Sequence, residues 1–117
     1  IIKEKPDVYL GQEFEDVGVT ERIAETLSAH GYVSLRDIGA HEPFFNHSGL
    51  FIACRIPIQS ASFHPFRPED VSGVMKWCDR GVLAIDVKIE NNQLVRFVNI
   101  HLNPGDEKDP ISHASRL

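Results

Sequence analysis

Two side chains in this sequence, Glu13 and His101, have the chemistry and the setting of a reactive site. Glu13 closes the segment Asp7–Glu13, which reads as a short strand after Pro6. A magnesium ion takes oxygen ligands, keeps several waters and often uses only one or two carboxylates with a substrate phosphate. Glu13 is therefore a candidate metal ligand. The alternative is a solvated acid in a cluster with Glu15 and Asp16.

His101 lies near the end of a predicted strand over residues 93–102. Its odd-numbered face turns from apolar to polar: Val95, Phe97, Asn99, His101 and Asn103. Its even-numbered face stays mostly apolar: Leu94, Arg96, Val98, Ile100 and Leu102. This change predicts a core that opens into a polar pocket, where an imidazole could contact a phosphoryl oxygen or hold another catalytic group. The alternative is a histidine that is hydrogen-bonded at the rim of a sheet.

The composition argues against several other kinds of site. The 117 residues carry 12 basic and 17 acidic side chains, a net charge of −5, and no basic run that would follow a nucleic-acid backbone. The other histidines lack the spacing of zinc ligands, and the sequence has no glycine-rich phosphate loop or nucleophile elbow. A nucleic-acid substrate is therefore not favoured.

The cysteines and the apolar runs bear on the compartment. Cys54 lies in an apolar run, which favours a buried free thiol over half of a disulfide. With only Cys78 besides it, no disulfide scaffold is indicated. Every apolar run is far shorter than the roughly 18 residues of a membrane span. A cytoplasmic or membrane-associated location is expected over a disulfide-rich secreted one.

Local patterns predict the elements that must position these residues. Strands are expected near 7–12, 50–56, 82–90 and 93–102, with the last two joined as a hairpin at Asn91-Asn92. A helix is expected over 21–30, capped by Thr20 and stopped by Gly31. A loop from Phe63 to Trp77 precedes the hairpin. Its aromatics, with Phe44 and Phe45, are expected to pack locally; a docking surface is the alternative.

The two ends of the chain predict an incomplete domain. Asp109-Pro110 has the signature of a helix start, yet the sequence stops at Leu117, and Ile1 opens it as if within an element. Residues 1–117 are therefore expected to form the N-terminal half of one domain that is truncated at both ends.

Four segments, taken in order, resemble neutral sphingomyelinases of the endonuclease/exonuclease/phosphatase superfamily. Pro6-Asp7-Val8 through Gln12-Glu13 is similar to the family's PDV…QE strand, and Asn46-His47-Ser48-Gly49-Leu50 through Pro57-Ile58 to its NSGL…PI strand. Arg80-Gly81 resembles the KG opening of the next strand, with Arg for Lys. Asn99-Ile100-His101-Leu102 resembles NTHL, with Ile for Thr, and Cys54 stands where Ser is usual. Ser115-Arg116-Leu117 is similar to the start of the following helix.

The resemblance implies a fold, a metal and a set of site residues. The fold would be α/β (α+β): the N-terminal half of a two-sheet β-sandwich flanked by helices, of the DNase-like type. Glu13 would bind one or two Mg²⁺ ions, His101 would be catalytic, and Asn99 and Arg80 would join the site. Glu13 and His101 are expected to face one cleft. The family's other catalytic residues would lie in the remaining half of the domain, so this chain alone is expected to be inactive.

The resemblance favours magnesium-dependent hydrolysis of a phosphodiester, most of all of sphingomyelin, in the manner of a phospholipase C. The expected partners are a phospholipid headgroup or another phosphodiester, with a membrane surface as a further candidate. Two alternatives stay open: a nuclease or a nucleotide or inositol phosphatase on the same fold, and a binding or structural module without catalysis.

Overall fold

The computed structural model describes residues 1–39, 47–67 and 79–102. In chain order the elements are β1 (Val8–Gly11), α1 (Val17–Ser28), β2 (Val33–Leu35), β3 (Phe51–Cys54), β4 (Ile58–Pro65), β5 (Gly81–Lys88), a 3-10 turn (Glu90–Asn92) and β6 (Leu94–Ile100). The four predicted strands are confirmed as β1, β3, β5 and β6, each with ends shifted by one or two residues. The helix predicted after Asp109 lies outside the described residues.

The strands form two antiparallel sheets that pack face to face. One sheet has the order β1-β3-β2 and the other β4-β5-β6. The core between them is built from alternate residues of the central strands: Leu50, Ile52, Cys54, Leu83, Ile85 and Val87. Full burial of one such side chain contributes about 1.5–3 kcal/mol, so this layer holds the sheets together. The predicted mixed α/β sandwich is confirmed.

β3 is buried on both faces, which explains its unbroken run of apolar residues. Ile52 and Cys54 face the second sheet, whereas Phe51 and Ala53 belong to a separate cluster with Leu27 of α1. The helix thereby covers the outer side of the first sheet. Cys54 is buried and free, as predicted.

The helix was predicted four residues too late at its start. Asp16, not Thr20, is the N-cap, and its carboxylate accepts a hydrogen bond from the Val19 N–H at 2.8 Å. Thr20 lies inside the helix and is buried. Both residue types cap helices well, so residue type alone did not distinguish them.

The end of the helix agrees with the prediction of a stop at Gly31. Its φ of +84° is the left-handed conformation that glycine adopts without strain. The Tyr32 N–H donates to the Leu27 carbonyl at 3.1 Å, and the Gly31 N–H donates to the Ser28 carbonyl at 3.0 Å. These two bonds make a Schellman motif, in which Tyr32 packs into the same cluster as Leu27.

β4 corrects the loop that was predicted to begin at Phe63. Residues 58–65 pair with β5, from Ile58 opposite Val87 to Pro65 opposite Gly81. Most of their side chains are exposed, so no apolar alternation marked them as a strand. Phe63 packs against the core, which supports local packing over docking at that position. The other aromatics of the predicted loop and of 44–45, except Phe66, lie outside the described residues.

The β5–β6 hairpin has the turn that was predicted at Asn91-Asn92. Both asparagines have a φ of 60°, a left-handed conformation that asparagine tolerates better than most residues. In β6 the odd-numbered residues face the core and the even-numbered ones face outward. The exposed apolar members of the outer face are Leu94, Val98, Ile100 and Leu102.

Candidate functional site

The backbone around Glu13 is fixed on both sides. Gln12 donates its side-chain amide to Asn99 at 2.7 Å, and the Phe14 N–H donates to the Gly49 carbonyl at 3.0 Å. Between these two tethers Glu13 has a φ of 63°, which is unusual for a residue other than glycine and is found at functional sites more often than elsewhere. The side chain of Glu13 is exposed. A carboxylate is thus displayed on constrained backbone just beyond β1.

Asn99 links the two sheets directly below this point. Its side-chain amide donates to the Gly11 carbonyl at 2.8 Å and to the Phe51 carbonyl at 3.0 Å, while its oxygen accepts from Gln12. Only 1% of Asn99 is exposed. Both amide hydrogens are therefore used inside the protein, and Asn99 braces the end of β1. Its catalytic role stays a prediction.

His101 is buried with both ring nitrogens in contact with the protein. Nδ1 lies 2.9 Å from the Ser48 carbonyl oxygen, and Nε2 lies 2.8 Å from Nη1 of Arg80, which also contacts Nδ1. A carbonyl only accepts and a guanidinium only donates. A neutral ring with its proton on Nδ1 satisfies the contact with Ser48 and lets Nε2 accept from Arg80, but it leaves the Nδ1–H facing a second donor at Nη1.

The electrostatics favour the same neutral form. Burial lowers the pKa of His101 below its usual 6.5, and the Arg80 cation adds to that effect. The hydrogen bond to Ser48 and the carboxylates of Glu13 and Glu15 act in the opposite direction on this pKa. Because the net direction is downward, His101 is neutral at pH 7.

Arg80 brings a positive charge into the interior beside His101. Only 5% of it is exposed. Its Nη2 donates to Oε1 of Glu15 at 2.9 Å, and its Nη1 donates to the Ser48 carbonyl at 3.1 Å. A buried cation is costly unless it is paired and hydrogen-bonded, and Glu15 supplies the opposite charge.

Gly49 lets these side chains approach one another. Its φ is +68°, and a Cβ there would lie 3.2 Å from Cγ of Glu15 and 3.4 Å from both Arg80 Nη1 and His101 Nδ1. A larger residue would therefore meet the cluster as well as a strained backbone. The turn before β3 forms the floor of the site.

The structure brings the four predicted site residues near one another. Arg80 contacts His101, Asn99 lies two positions before His101 on the same face of β6, and Glu13 is near enough for its charge to act on His101. The predicted roles remain predictions. Glu15 was expected only as a member of a solvated acidic cluster with Glu13, and the Ser48 carbonyl, although it lies in the NSGL-like segment, was given no role. A contact between residues 15 and 80 leaves no local pattern to find.

Glu13 offers one carboxylate ligand that fits Mg²⁺, without a full set of protein ligands among the described residues. Its exposed carboxylate is a hard oxygen ligand, and such an ion is often held by one or two carboxylates, waters and substrate phosphate. Within 1–39, 47–67 and 79–102, no group of three or more histidine, cysteine, aspartate or glutamate side chains could enclose a metal. Glu13 would therefore be one ligand of an open site.

A large cavity among the described residues lies elsewhere. About 610 Å³ of space separates residues 1–3 from α1, lined largely by apolar side chains such as Ile2, Phe14 and Ile23. Its lining includes none of the predicted site residues. Among the helical residues that the structure describes, no helix is long and apolar enough to cross a membrane.

Comparison with solved structures identifies the fold. Sphingomyelinase C from Streptomyces griseocarneus superposes with a TM-score of 0.77 at 17% identity, over 97% of this chain and 42% of that one. A double-mutant form of Staphylococcus aureus beta toxin with bound magnesium ions gives 0.74 at 17% identity, over 95% and 42%. An endonuclease/exonuclease/phosphatase protein from Beutenbergia cavernae gives 0.68 at 21% identity, over 99% and 34%.

The class of fold is therefore that of sphingomyelinases and endonuclease/exonuclease/phosphatase proteins, and the DNase-like sandwich predicted from the motifs is confirmed at the level of the fold. The chain spans less than half the length of these proteins. No family model matches the sequence, and no curated protein does either.

Proposed function

We propose that this chain is part of a magnesium-dependent phosphodiester hydrolase that acts on sphingomyelin or a closely similar phospholipid. It would hydrolyse the bond between the lipid alcohol and the phosphate, as a phospholipase C does. The carrying observation is the cluster of Glu15, Arg80 and His101 beside Glu13, on a fold shared with a sphingomyelinase. The beta toxin neighbour with bound magnesium ions supports the choice of metal.

Glu13 would hold the ion on the constrained backbone beyond β1. When bound, Mg²⁺ supplies charge neutralisation at the phosphate and lowers the pKa of a water molecule. The remaining hydrolase residues would come from outside the described chain, since the neighbours are more than twice as long.

The chain's own residues supply a cation and a base at one place. Nε2 is the only basic nitrogen of His101, because Nδ1–H is committed to Ser48. Nη1 of Arg80 lies 2.8 Å from Nε2 and also contacts Nδ1. An anionic phosphodiester would compete for the guanidinium, which would free Nε2 to accept a hydrogen bond or a proton from a reacting group.

A second candidate is a nuclease or phosphatase on the same fold, which the Beutenbergia cavernae neighbour supports by its description. The net charge of −5 within this chain disfavours a nucleic-acid substrate. A binding module without catalysis is the third possibility.

The test is hydrolysis by the full-length protein with and without Mg²⁺. Sphingomyelin vesicles, phosphatidylcholine vesicles, plasmid DNA and a soluble phosphomonoester would be compared. We expect magnesium-dependent release of phosphocholine from sphingomyelin and little turnover of the others. Faster cleavage of DNA or of the monoester would favour the second candidate. Vesicle binding without hydrolysis of any substrate would favour the binding module.

Variants of Glu13 add a residue-level check. Glu13→Gln removes the ligand charge and should lower kcat/KM about 100-fold or more, because a catalytic metal supplies several kcal/mol of transition-state stabilisation. Glu25→Gln makes the same change on an exposed part of α1 and should leave activity unchanged. Equal activity of the two variants would refute the role of Glu13.

A further inference from the structure

A continuous chain of contacts leads from the surface to the imidazole of His101. Glu15 is 42% exposed at its side chain and accepts from Nη2 of Arg80 at 2.9 Å. Nη1 of Arg80 lies 2.8 Å from Nε2 of His101, and Nδ1 of His101 lies 2.9 Å from the Ser48 carbonyl oxygen. Four groups on four separate segments are thus joined, and a hydrogen bond from Nη1 of Arg80 to the Ser48 carbonyl closes the contacts among Arg80, His101 and Ser48 into a ring.

The geometry gives each member a distinct function. Ser48 contributes a backbone acceptor whose position is set by the turn at Gly49, so the Nδ1 side of the ring is fixed by the main chain. The Nε2 side depends on a long arginine side chain, which has many rotamers unless it is held. Nη1 of Arg80 is already engaged with Ser48 and His101, while Nη2 is held by Glu15.

We propose that Glu15 is a positioning residue for His101: it holds the guanidinium of Arg80 against the imidazole ring, whose Nδ1 faces the Ser48 carbonyl. As far as the reaction is concerned, this inference rests on the proposed phosphodiester hydrolysis. The positioning itself is a property of the folded protein and is measurable without turnover.

The charges around the ring act in opposite directions. Arg80 at the start of β5, and Glu13 and Glu15 from the segment after β1, lie close enough to affect the pKa of His101. Arg80 disfavours the imidazolium and the two carboxylates favour it. Glu15 also fixes the guanidinium in the position from which it acts, so its loss removes both a charge and an orientation.

The first measurement is ¹⁵N NMR of the full-length protein labelled at histidine nitrogen. The wild-type His101 should give the pair of ¹⁵N shifts of a neutral ring protonated at Nδ1. Glu15→Gln and Arg80→Gln should both move these shifts toward a mixture of tautomers, because the donor to Nε2 is no longer held. Glu25→Gln should reproduce the wild-type spectrum. Wild-type tautomer shifts in the Glu15→Gln protein would overturn the proposal.

The second measurement separates kcat from KM. Glu15→Gln should lower kcat about 10- to 100-fold, by analogy with the loss of the hydrogen-bond partner of a metal-bound histidine, and change KM by less than about threefold. Glu15→Asp keeps the charge at shorter reach and should fall between the wild type and Glu15→Gln. A loss confined to KM would overturn the positioning role. If the wild type hydrolyses no phosphodiester, the proposed function fails, while the NMR comparison still decides the role of Glu15.

Discussion

At the scale of single residues, the site depends on backbone conformations that few side chains accept. Gly49 has a left-handed φ of +68°, and a Cβ there would lie close to Glu15, Arg80 and His101, whereas Gly31 has a φ of +84° and nothing within 4 Å of where a Cβ would lie. A substitution at Gly31 would therefore report the cost of the left-handed backbone alone, and one at Gly49 would add the cost of crowding.

We predict that Gly49→Ala destabilises the protein more than Gly31→Ala. The left-handed conformation alone costs an alanine about 1–2 kcal/mol at either position. Crowding at Gly49 should add about 1–3 kcal/mol, the usual cost of overpacking. Urea unfolding of both variants measures the difference. Equal losses of unfolding free energy would show that the side chains around Gly49 accommodate the added methyl group without destabilising the protein.

The pKa of His101 makes a second prediction at this scale. Its folded pKa lies below 6.5, so the unfolded state takes up a proton at a higher pH than the folded state does. The contribution of His101 to the free energy of unfolding is therefore fully present above pH 6.5 and is lost as the pH falls toward the folded pKa. The slope of unfolding free energy against pH should be positive just below 6.5 and reduced in His101→Gln. An unchanged slope would contradict a neutral, buried His101.

At the scale of elements, hydrogen bonds of the Asn99 side chain, in addition to apolar packing, join the two sheets at one end of the sandwich. Asn99 of β6 reaches across to the carbonyl groups of β1 and β3 and to Gln12. This one side chain joins the strand that carries His101 to the segment that carries Glu13. The relative position of the two candidate residues therefore depends on it.

We predict that Asn99→Ala costs at least about 2 kcal/mol, because each buried polar group left without a partner costs about 1–3 kcal/mol. Gln12→Ala removes only one of the three hydrogen bonds and should cost less. A double-mutant cycle between the two positions should give a coupling energy of about 0.5–1.5 kcal/mol for that bond. Strictly additive effects would mean that the bond between them contributes nothing to stability.

At the scale of the whole molecule, the described chain leaves apolar surface open on its second sheet. Leu94, Val98, Ile100 and Leu102 are 43–62% exposed on the outer face of β6, and among the described strands β6 pairs only with β5. Exposed apolar strands at a sheet edge promote self-association. The chain also spans less than half the length of its structural neighbours.

We predict that residues 1–117 expressed alone self-associate as concentration rises and do not hydrolyse sphingomyelin. Light scattering with size-exclusion chromatography measures the first property. Val98→Lys with Ile100→Lys should reduce association, since charges on an edge strand oppose pairing. Val33→Lys changes an exposed valine on the other sheet and serves as the control. A monodisperse monomer that turns over sphingomyelin would contradict the prediction.

The sequence by itself determined the features that periodicity and backbone preference record. Alternation placed Leu83, Ile85 and Val87 in the core, and the change of character along β6 marked Asn99 and His101 as the point where the core becomes polar. Gly31 and Asn91-Asn92 marked left-handed positions correctly. These signals are local, because burial on one face and the sign of φ restrict residue type at the position itself.

Only the tertiary structure decided the rest. β4 is a strand because β5 supplies its hydrogen-bond partners, although its own side chains are mostly exposed. Helix α1 begins at Val17 because Asp16 caps it, while the equally suitable Thr20 is buried within it. Glu15 reaches Arg80 across 65 positions of sequence. Pairings of this kind depend on where distant segments meet, and that information is absent from any local window of residues.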